Sequence, residues 1–240
     1  MSAAAAVPVI AIDGPTASGK GTIAAGVAER LGFNYLDSGS LYRLVSLEAR
    51  SAAVSLEDEP ALAAIAMSLR PVFASGRIRL GGEDVTDLIR EESVGAAASR
   101  LAVLPGVRAA LVQIQRGFRS PPGLVADGRD MGTAIFPDAQ LKIFLTADVG
   151  SRAERRHKQL IEKGFSSNIT GLLEVLRERD DRDVNRAVSP LRAAEDAVVI
   201  DSTRLSIEQT IEQVLGAWQS VVGRVAGRQL PGEDGGPAGR

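Results

Sequence analysis

Five short apolar runs punctuate the chain, and small or acidic residues sit at the end of most of them. Val9–Ile12 leads into Asp13-Gly14, Phe33–Leu36 into Asp37-Ser38-Gly39, and Gly123–Ala126 into Asp127-Gly128-Arg129-Asp130. Leu141–Leu145 follows Phe136-Pro137-Asp138, and Ala197–Ile200 ends at Asp201-Ser202-Thr203. The runs are near-continuous, without polar alternation, which predicts strands buried on both faces of a parallel sheet. Helical stretches lie between them. Ser151-Arg152-Ala153-Glu154 and Ser206-Ile207-Glu208-Gln209 both carry the spacing of a capping box. In the last helix Ile207, Ile211, Val214, Leu215 and Trp218 fall on one face. The alternation predicts a three-layer α/β fold, a five-stranded parallel sheet flanked by helices.

One region breaks this rhythm. Within Pro71–Val85, Arg77-Ile78-Arg79-Leu80 alternates strictly between flanking glycines, the pattern of a small antiparallel β unit with one wet face. Two helical stretches separated by Pro105-Gly106 follow it, and the whole reads as an insertion over about residues 48–118. The ends differ from the rest. The first six residues are mostly alanine, and residues 224–240 carry five glycines and two prolines. That composition cannot bury enough surface to offset its ordering entropy, so a folded domain over 7–222 and a disordered tail over 224–240 are expected.

At 240 residues with 45% hydrophobic and 24% charged residues, the chain has the make-up of a soluble globular protein. A formal net charge of −2 offers no general pull toward nucleic acid or an anionic membrane. With no cysteine, disulfides, thiolate metal sites and cysteine nucleophiles are excluded. The first residues lack a basic signal-peptide region, and Pro8 and Asp13 interrupt the apolar run that follows. A soluble, cytoplasmic monomer is the expectation.

The most informative chemistry follows the first strand. Gly14-Pro15-Thr16-Ala17-Ser18-Gly19-Lys20-Gly21-Thr22 places two glycines, Gly14 and Gly19, ahead of Lys20 and the Thr22 hydroxyl, between a strand and a helix, the context a P-loop requires. Glycines let successive backbone N–H groups point into one concavity, and the helix adds the positive end of its dipole. Lys20 can then reach the β- and γ-phosphates of a nucleotide, and the Thr22 hydroxyl can serve its Mg²⁺. Gly21 is a departure, because the general pattern puts the hydroxyl directly after the lysine. The other polar clusters, Asp37-Ser38, Asp127–Asp130 and Asp201-Ser202, follow strand ends, where open α/β sheets bind ligands.

The Gly-Lys-Gly-Thr form is that of nucleoside monophosphate kinases. Together with Leu36–Arg43, Ala126–Thr133 and Arg177–Asp183, it makes the chain resemble the bacterial cytidylate kinases from Val7 to about Trp218. The resemblance implies transfer of the γ-phosphoryl group of ATP to CMP or dCMP, with Mg²⁺ arriving on the ATP. It implies that the insertion is a monophosphate-binding subdomain and that about 151–190 form a mobile lid. Arg43 and Arg129 are implied to hold the CMP phosphate, Ser38 and Arg108 to donate to the ring, and Ser99, Arg179 and Asp183 to contact the sugar. Lys20, Arg129, Arg179 and Arg186 are the implied catalytic group. Asp130 can be argued from polarity, because a carboxylate accepts from the cytosine amine and repels the carbonyl uracil has there. Asp127 is a candidate acid for the Mg²⁺ shell. The other lid arginines, Arg152, Arg155, Arg156 and Arg182, are expected on a solvated face laced with i,i+4 pairs, and His157 is expected to be an exposed surface residue. Two rival readings are a kinase for another acceptor such as UMP or AMP, and an ATP-sensing module without turnover.

Overall fold

The computed structural model describes residues 7–227 other than 75, 163 and 165. In chain order the elements are β1 (Val9–Asp13), α1 (Lys20–Leu31), β2 (Asn34–Asp37), α2 (Ser38–Ser51) and α3 (Glu59–Ser68). Three short strands follow, β3 (Val72–Ala74), β4 (Arg77–Leu80) and β5 (Glu83–Asp84), then α4 (Glu92–Leu101) and α5 (Pro105–Gly117). The remainder is β6 (Leu124–Gly128), β7 (Leu141–Thr146), α6 (Val149–Glu162), α7 (Ile169–Asn185), β8 (Val198–Asp201) and α8 (Ile207–Gly227).

Strands β2-β6-β1-β7-β8 form one sheet in that order, and every neighbouring pair is parallel. Strand periodicity divides its side chains between two cores. Val9, Ala11, Leu36, Leu124 and Ala126 enter one core, while Ile10, Ile12, Val125, Leu141, Ile143 and Leu145 enter the other with α1 and α8. Burial on both faces holds for β1 and β6 but fails at the edges. In β8, Val198 and Val199 are 43% and 60% exposed, and only Ile200 is buried. An apolar run specifies a strand without specifying its place in the sheet.

The insertion lies between β2 and β6, with β3, β4 and β5 paired antiparallel. Arg77 and Arg79 face solvent while Ile78 and Leu80 pack inward. This subdomain shares its core with the sheet, since its Leu62, Leu101, Val107 and Leu111 cluster with Leu41 and Leu44 of α2 and with the β1 and β6 side chains. Pro105 is the first residue of α5, so Pro105-Gly106 opens that helix and is not a spacer before it.

Two other boundaries differ from expectation. Ser206 and Gln209 exchange their capping bonds at 2.9 and 3.1 Å as expected. At α6, however, Asp148 takes the capping role, its carboxylate accepting from the Ser151 N–H at 2.9 Å. The helix therefore starts ahead of Ser151. Helix α8 continues to Gly227, so Arg224–Gly227, expected in the tail, are helical. The first six residues and 228–240 lie outside the described residues. No single described helix is long and apolar enough to cross a membrane.

Candidate active site

Past Asp13 the chain turns over the carboxyl end of β1. A Cβ at Gly14 would lie 2.1 Å from the Leu145 carbonyl oxygen, so only glycine fits this approach to β7. Ala17 and Gly19 take positive φ values of 60° and 89°, which curls the loop into a concavity. Helix α1 then begins at Lys20 with no side-chain cap, leaving its first amides directed at the concavity. Lys20 is 8% exposed, and its ammonium donates to the Pro15 carbonyl at 3.1 Å. Burial, seconded by Arg129, lowers its pKa to about 8 while Asp127 opposes the shift. Gly21, the loop's departure, packs closely against two polar side chains. A Cβ there would sit 3.1 Å from Asp127 Oδ2 and 3.6 Å from the Tyr35 hydroxyl. Thr22 is exposed on the first turn of α1.

This loop lines one wall of a cleft of about 690 Å³. Thr16 through Thr22 line it, as do Ser38, Arg43, Ser99, Arg108, Arg129, Asp130, Arg179, Asp183 and Arg186. Gly14 and Pro15, expected with them, do not line it. Beside Lys20, Asp127 is buried at the end of β6. Its Oδ2 accepts from the Tyr35 hydroxyl at 3.4 Å, and Oδ1 has no hydrogen-bond partner. Burial pushes its carboxyl up to about 7, against the pull of Lys20. Arg129 bridges the cleft, donating from Nε to Asp183 at 2.8 Å and from Nη2 to the Thr16 hydroxyl at 2.7 Å. Arg43 donates to the Ile89 carbonyl at 2.8 Å. It lies where a Cβ on Gly95 would be 2.9 Å from both of its terminal nitrogens. Arg179 leaves its Nε unpartnered, and burial, with Arg129 next in importance, lowers its pKa to about 10. Among the described residues, no carboxylate lies within ion-pair distance of Lys20, Arg43 or Arg179. Lys20 is buried and Arg43 and Arg179 are half-buried, and cations so placed call for anions from outside.

The far end of the cleft is built differently. Asp130, 4% exposed, accepts from Arg108 Nη2 at Oδ2, and its Oδ1 lies 3.6 Å from Arg186 Nη2. Arg108 also reaches the Tyr42 hydroxyl at 3.4 Å and the Ala102 carbonyl at 3.2 Å, and Arg186 donates to the Ser189 carbonyl. Ser38 is buried beside Gly128, where a Cβ would sit 2.7 Å from its hydroxyl oxygen. The corner thus presents one acceptor group between two donor groups, the complement of a ring edge that carries an amine beside ring acceptors. Ser99 accepts from Arg182 at 2.8 Å, joining α4 to α7.

The solvated face expected for the remaining lid arginines is not what forms. Arg152, 5% exposed, grips Asp180 through two bonds of 3.1 and 2.6 Å and donates to the Thr16 and Ala147 carbonyls. Arg155 reaches the Ser18 carbonyl and the hydroxyl of Ser202, just past the end of β8, each at 3.2 Å, Arg156 pairs with Glu92 of α4, and Arg182 reaches Ser99. Helices α6 and α7 turn Arg152, Arg155 and Arg182 inward and leave Arg156 at the rim; the partners of all four lie on distant segments, which local spacing cannot register. His157 is half-buried with Nδ1 2.9 Å from the Ser167 hydroxyl, away from the cleft. The expectation of an exposed histidine is corrected accordingly. Lys163 and Phe165, within the segment expected to form the lid, lie outside the described residues. One buried group had no sequence expectation attached. Asp13 accepts from the Met131 and Gly132 amides, and its only sequence signal was an acid closing an apolar strand.

Cations gathered where a strand hands over to a helix, with a second polar seat across from them, suit phosphoryl exchange between two anionic molecules. That makes the protein a P-loop kinase. Comparison narrows the class. The cytidylate kinase family model matches residues 10–220, and the chain belongs to that family of nucleoside monophosphate kinases. It is 58% identical over 219 residues to a cytidylate kinase of Bordetella bronchiseptica, covering 91% of this chain and 98% of that one. It is 59% identical over 219 residues to a cytidylate kinase of Burkholderia mallei, covering 91% and 96%. Among solved structures, a gluconokinase from Sinorhizobium meliloti shares the fold, with a TM-score of 0.50 at 13% identity over 93% of this chain and 98% of that chain.

Proposed function

We propose that this protein transfers the γ-phosphoryl group of ATP directly to CMP, and to dCMP, with no covalent phosphoenzyme. The observation that carries the acceptor assignment is the buried Asp130 held between Arg108 and Arg186. Its carboxylate keeps lone pairs free to accept from the cytosine amine and would repel a carbonyl at that place. Gly14 through Thr22 wrap the ATP phosphates, and Lys20 neutralises charge at the β- and γ-positions. Arg43 and Arg129 hold the CMP phosphate with bidentate guanidinium geometry. Arg179 and Arg186 face the substrates, and Ser38, Ser99 and Asp183 complete the contacts to ring and sugar. Closure of residues 151–190 over both nucleotides excludes water.

The residues fit a magnesium ion carried in on the nucleotide. Asp127 offers a buried, unpartnered carboxylate oxygen beside Lys20, and Thr22 offers a hydroxyl on the next helix. Among the described residues no group of three His, Cys, Asp or Glu side chains could hold an ion, which suits a metal whose remaining ligands are phosphate and water. When bound, such an ion shields the phosphate charge that Lys20 and the arginines also oppose. A monomer working in the cytoplasm, with small nucleotides as its only partners, completes the reading.

A coupled assay of ADP release with CMP, dCMP, UMP and AMP tests it. Turnover is expected to depend on the acceptor, with CMP and dCMP far ahead of the other two. Equal rates with UMP or AMP would overturn the base assignment, and nucleotide binding without turnover would leave an ATP-sensing module.

A further inference from the structure

Asp13 has no part in the reaction as assigned above. Its carboxylate is nevertheless buried, 5% exposed, on the last residue of β1, one position before the phosphate loop. Both oxygens are committed to another segment. Oδ1 accepts from the Met131 N–H and Oδ2 from the Gly132 N–H, each at 2.8 Å. These amides open a single π-helical turn, Met131–Ile135, that directly follows Asp130. The Asp130 side chain does not cap that turn, so Asp13 caps it through space from the neighbouring strand. The Asp130 carbonyl in turn accepts from Ala134 and Ile135 at 2.9 and 3.2 Å. The backbone around Asp130 is thus pinned from two directions.

The choice of side chain is informative. Two converging N–H donors need two acceptors on one short side chain, which a carboxylate supplies. An asparagine would turn a donor toward one of them, and an apolar residue would leave both amides buried and unpaired. The remainder of β1 is apolar core, and a charge there is costly. Burial pushes the Asp13 carboxyl up to about 6 in spite of both bonds. Strand packing alone does not call for such a group. What the clamp controls is the aim of the two residues ahead of the turn, Arg129 with its bond to Thr16 of the phosphate loop and Asp130 with its two arginines.

We infer that Asp13 is a positioning residue for acceptor specificity. By holding the Met131 and Gly132 amides to the end of β1, it fixes Asp130 against the base and Arg129 against the phosphate, in register with the nucleotide loop. The inference rests on the reading of Asp130 as the base-recognising group.

Asp13→Asn and Asp130→Asn, assayed side by side with CMP and UMP at saturating ATP, test it. For Asp13→Asn the CMP-to-UMP ratio of kcat/KM should fall by about tenfold or more, mainly through a raised KM for CMP. The dissociation constant for ATP alone should stay within about twofold of the parent's. A purely structural role would cost both acceptors equally and leave the ratio where it was, which overturns the inference. The two variants separate the two ideas. If the ratio survives Asp130→Asn, the base reading fails and the specificity role fails with it. If it collapses in Asp130→Asn but not in Asp13→Asn, only the clamp fails. Amide exchange on the unaltered protein is a further test that holds even if Asp13→Asn does not fold. The Met131 and Gly132 N–H groups should be protected at least about a thousandfold over an unstructured chain. Exchange close to the unstructured rate would overturn the clamp.

Discussion

The buried corner around Asp130 and the more open gap beside Lys20 are both rich in cations, yet they are held by different means. At the corner the protein supplies its own counter-charge, and Asp130, Arg108 and Arg186 are each 7% exposed or less. In the gap, Arg129 alone has a carboxylate, Asp183, while Lys20 and Arg43 reach only backbone carbonyls and Arg179 Nε reaches nothing. The chemistry of the proposed substrates accounts for the difference. A neutral base is told from its rivals by hydrogen-bond polarity, so its seat must be set before it arrives. Phosphates bring their own charge, and cations that only they can satisfy bind most strongly where charge develops in transfer.

The contrast has measurable consequences, largest first. Lys20→Ala should lower kcat by about a hundredfold to a thousandfold, on the order of 3 kcal/mol or more. Its melting temperature should match or exceed the parent's, because the lost amine was held below its ordinary pKa by burial. Near-normal turnover in a folded variant would remove the phosphate-loop assignment. Asp130→Asn should differ by losing both properties. Its CMP-to-UMP ratio of kcat/KM should drop about tenfold to a hundredfold. Stability should fall by about 3 kcal/mol as Arg108 and Arg186 lose their partner. Arg179→Met is the matching control from the gap, expected to lose turnover about tenfold or more with its melting temperature unchanged or raised. A destabilised Arg179→Met would break the comparison.

A pH titration sharpens it further. Burial raises the Asp127 carboxyl from 3.8 to about 7, so the native state keeps a proton that the unfolded chain releases. Stability from this group is full at low pH and is lost as pH rises toward about 7. The melting temperature of Asp127→Asn relative to the parent should therefore climb with pH up to about 7 and then level off. A difference that ignores pH would show that Asp127 is not held in that environment. The smallest effect is expected at the rim, where Arg156 and Glu92 pair with side chains 28% and 64% exposed. Arg156→Ala should change stability by no more than about 0.5 kcal/mol, measured by chemical denaturation.

The same contrast decides how much could be read from the sequence. The phosphate loop was legible because its parts are consecutive and each has a local reason, a turn, a cradle or a charge. Asp130 and Arg108, 22 positions apart, joined a single site only through family resemblance. Asp13 could not be read at all, because its partners are backbone amides 118 and 119 positions away. Arg152 was placed on a solvated face since nothing near it in sequence announces Asp180 or the Thr16 carbonyl. In the fold, five strands are legible as apolar runs, but the burial on both faces that those runs predict fails at β8, an edge strand. Neighbours in space decide burial, and the runs carry no record of them.

The strand order also bears on how the chain is made. β1 pairs only with β6 and β7, and β6 lies between β1 and β2 in the sheet. A ribosome working at roughly 5–20 residues per second would release β1 many seconds before Leu124–Gly128 emerged to pair with it. During that interval Val9–Asp13, apolar in four of its five residues, has no hydrogen-bonding neighbour from its own sheet. The nucleotide loop can form only after the central strand is in place. The nascent chain must therefore carry an unpaired apolar strand while more than 100 further residues are made, which is the period when chaperone contact would matter most to its yield.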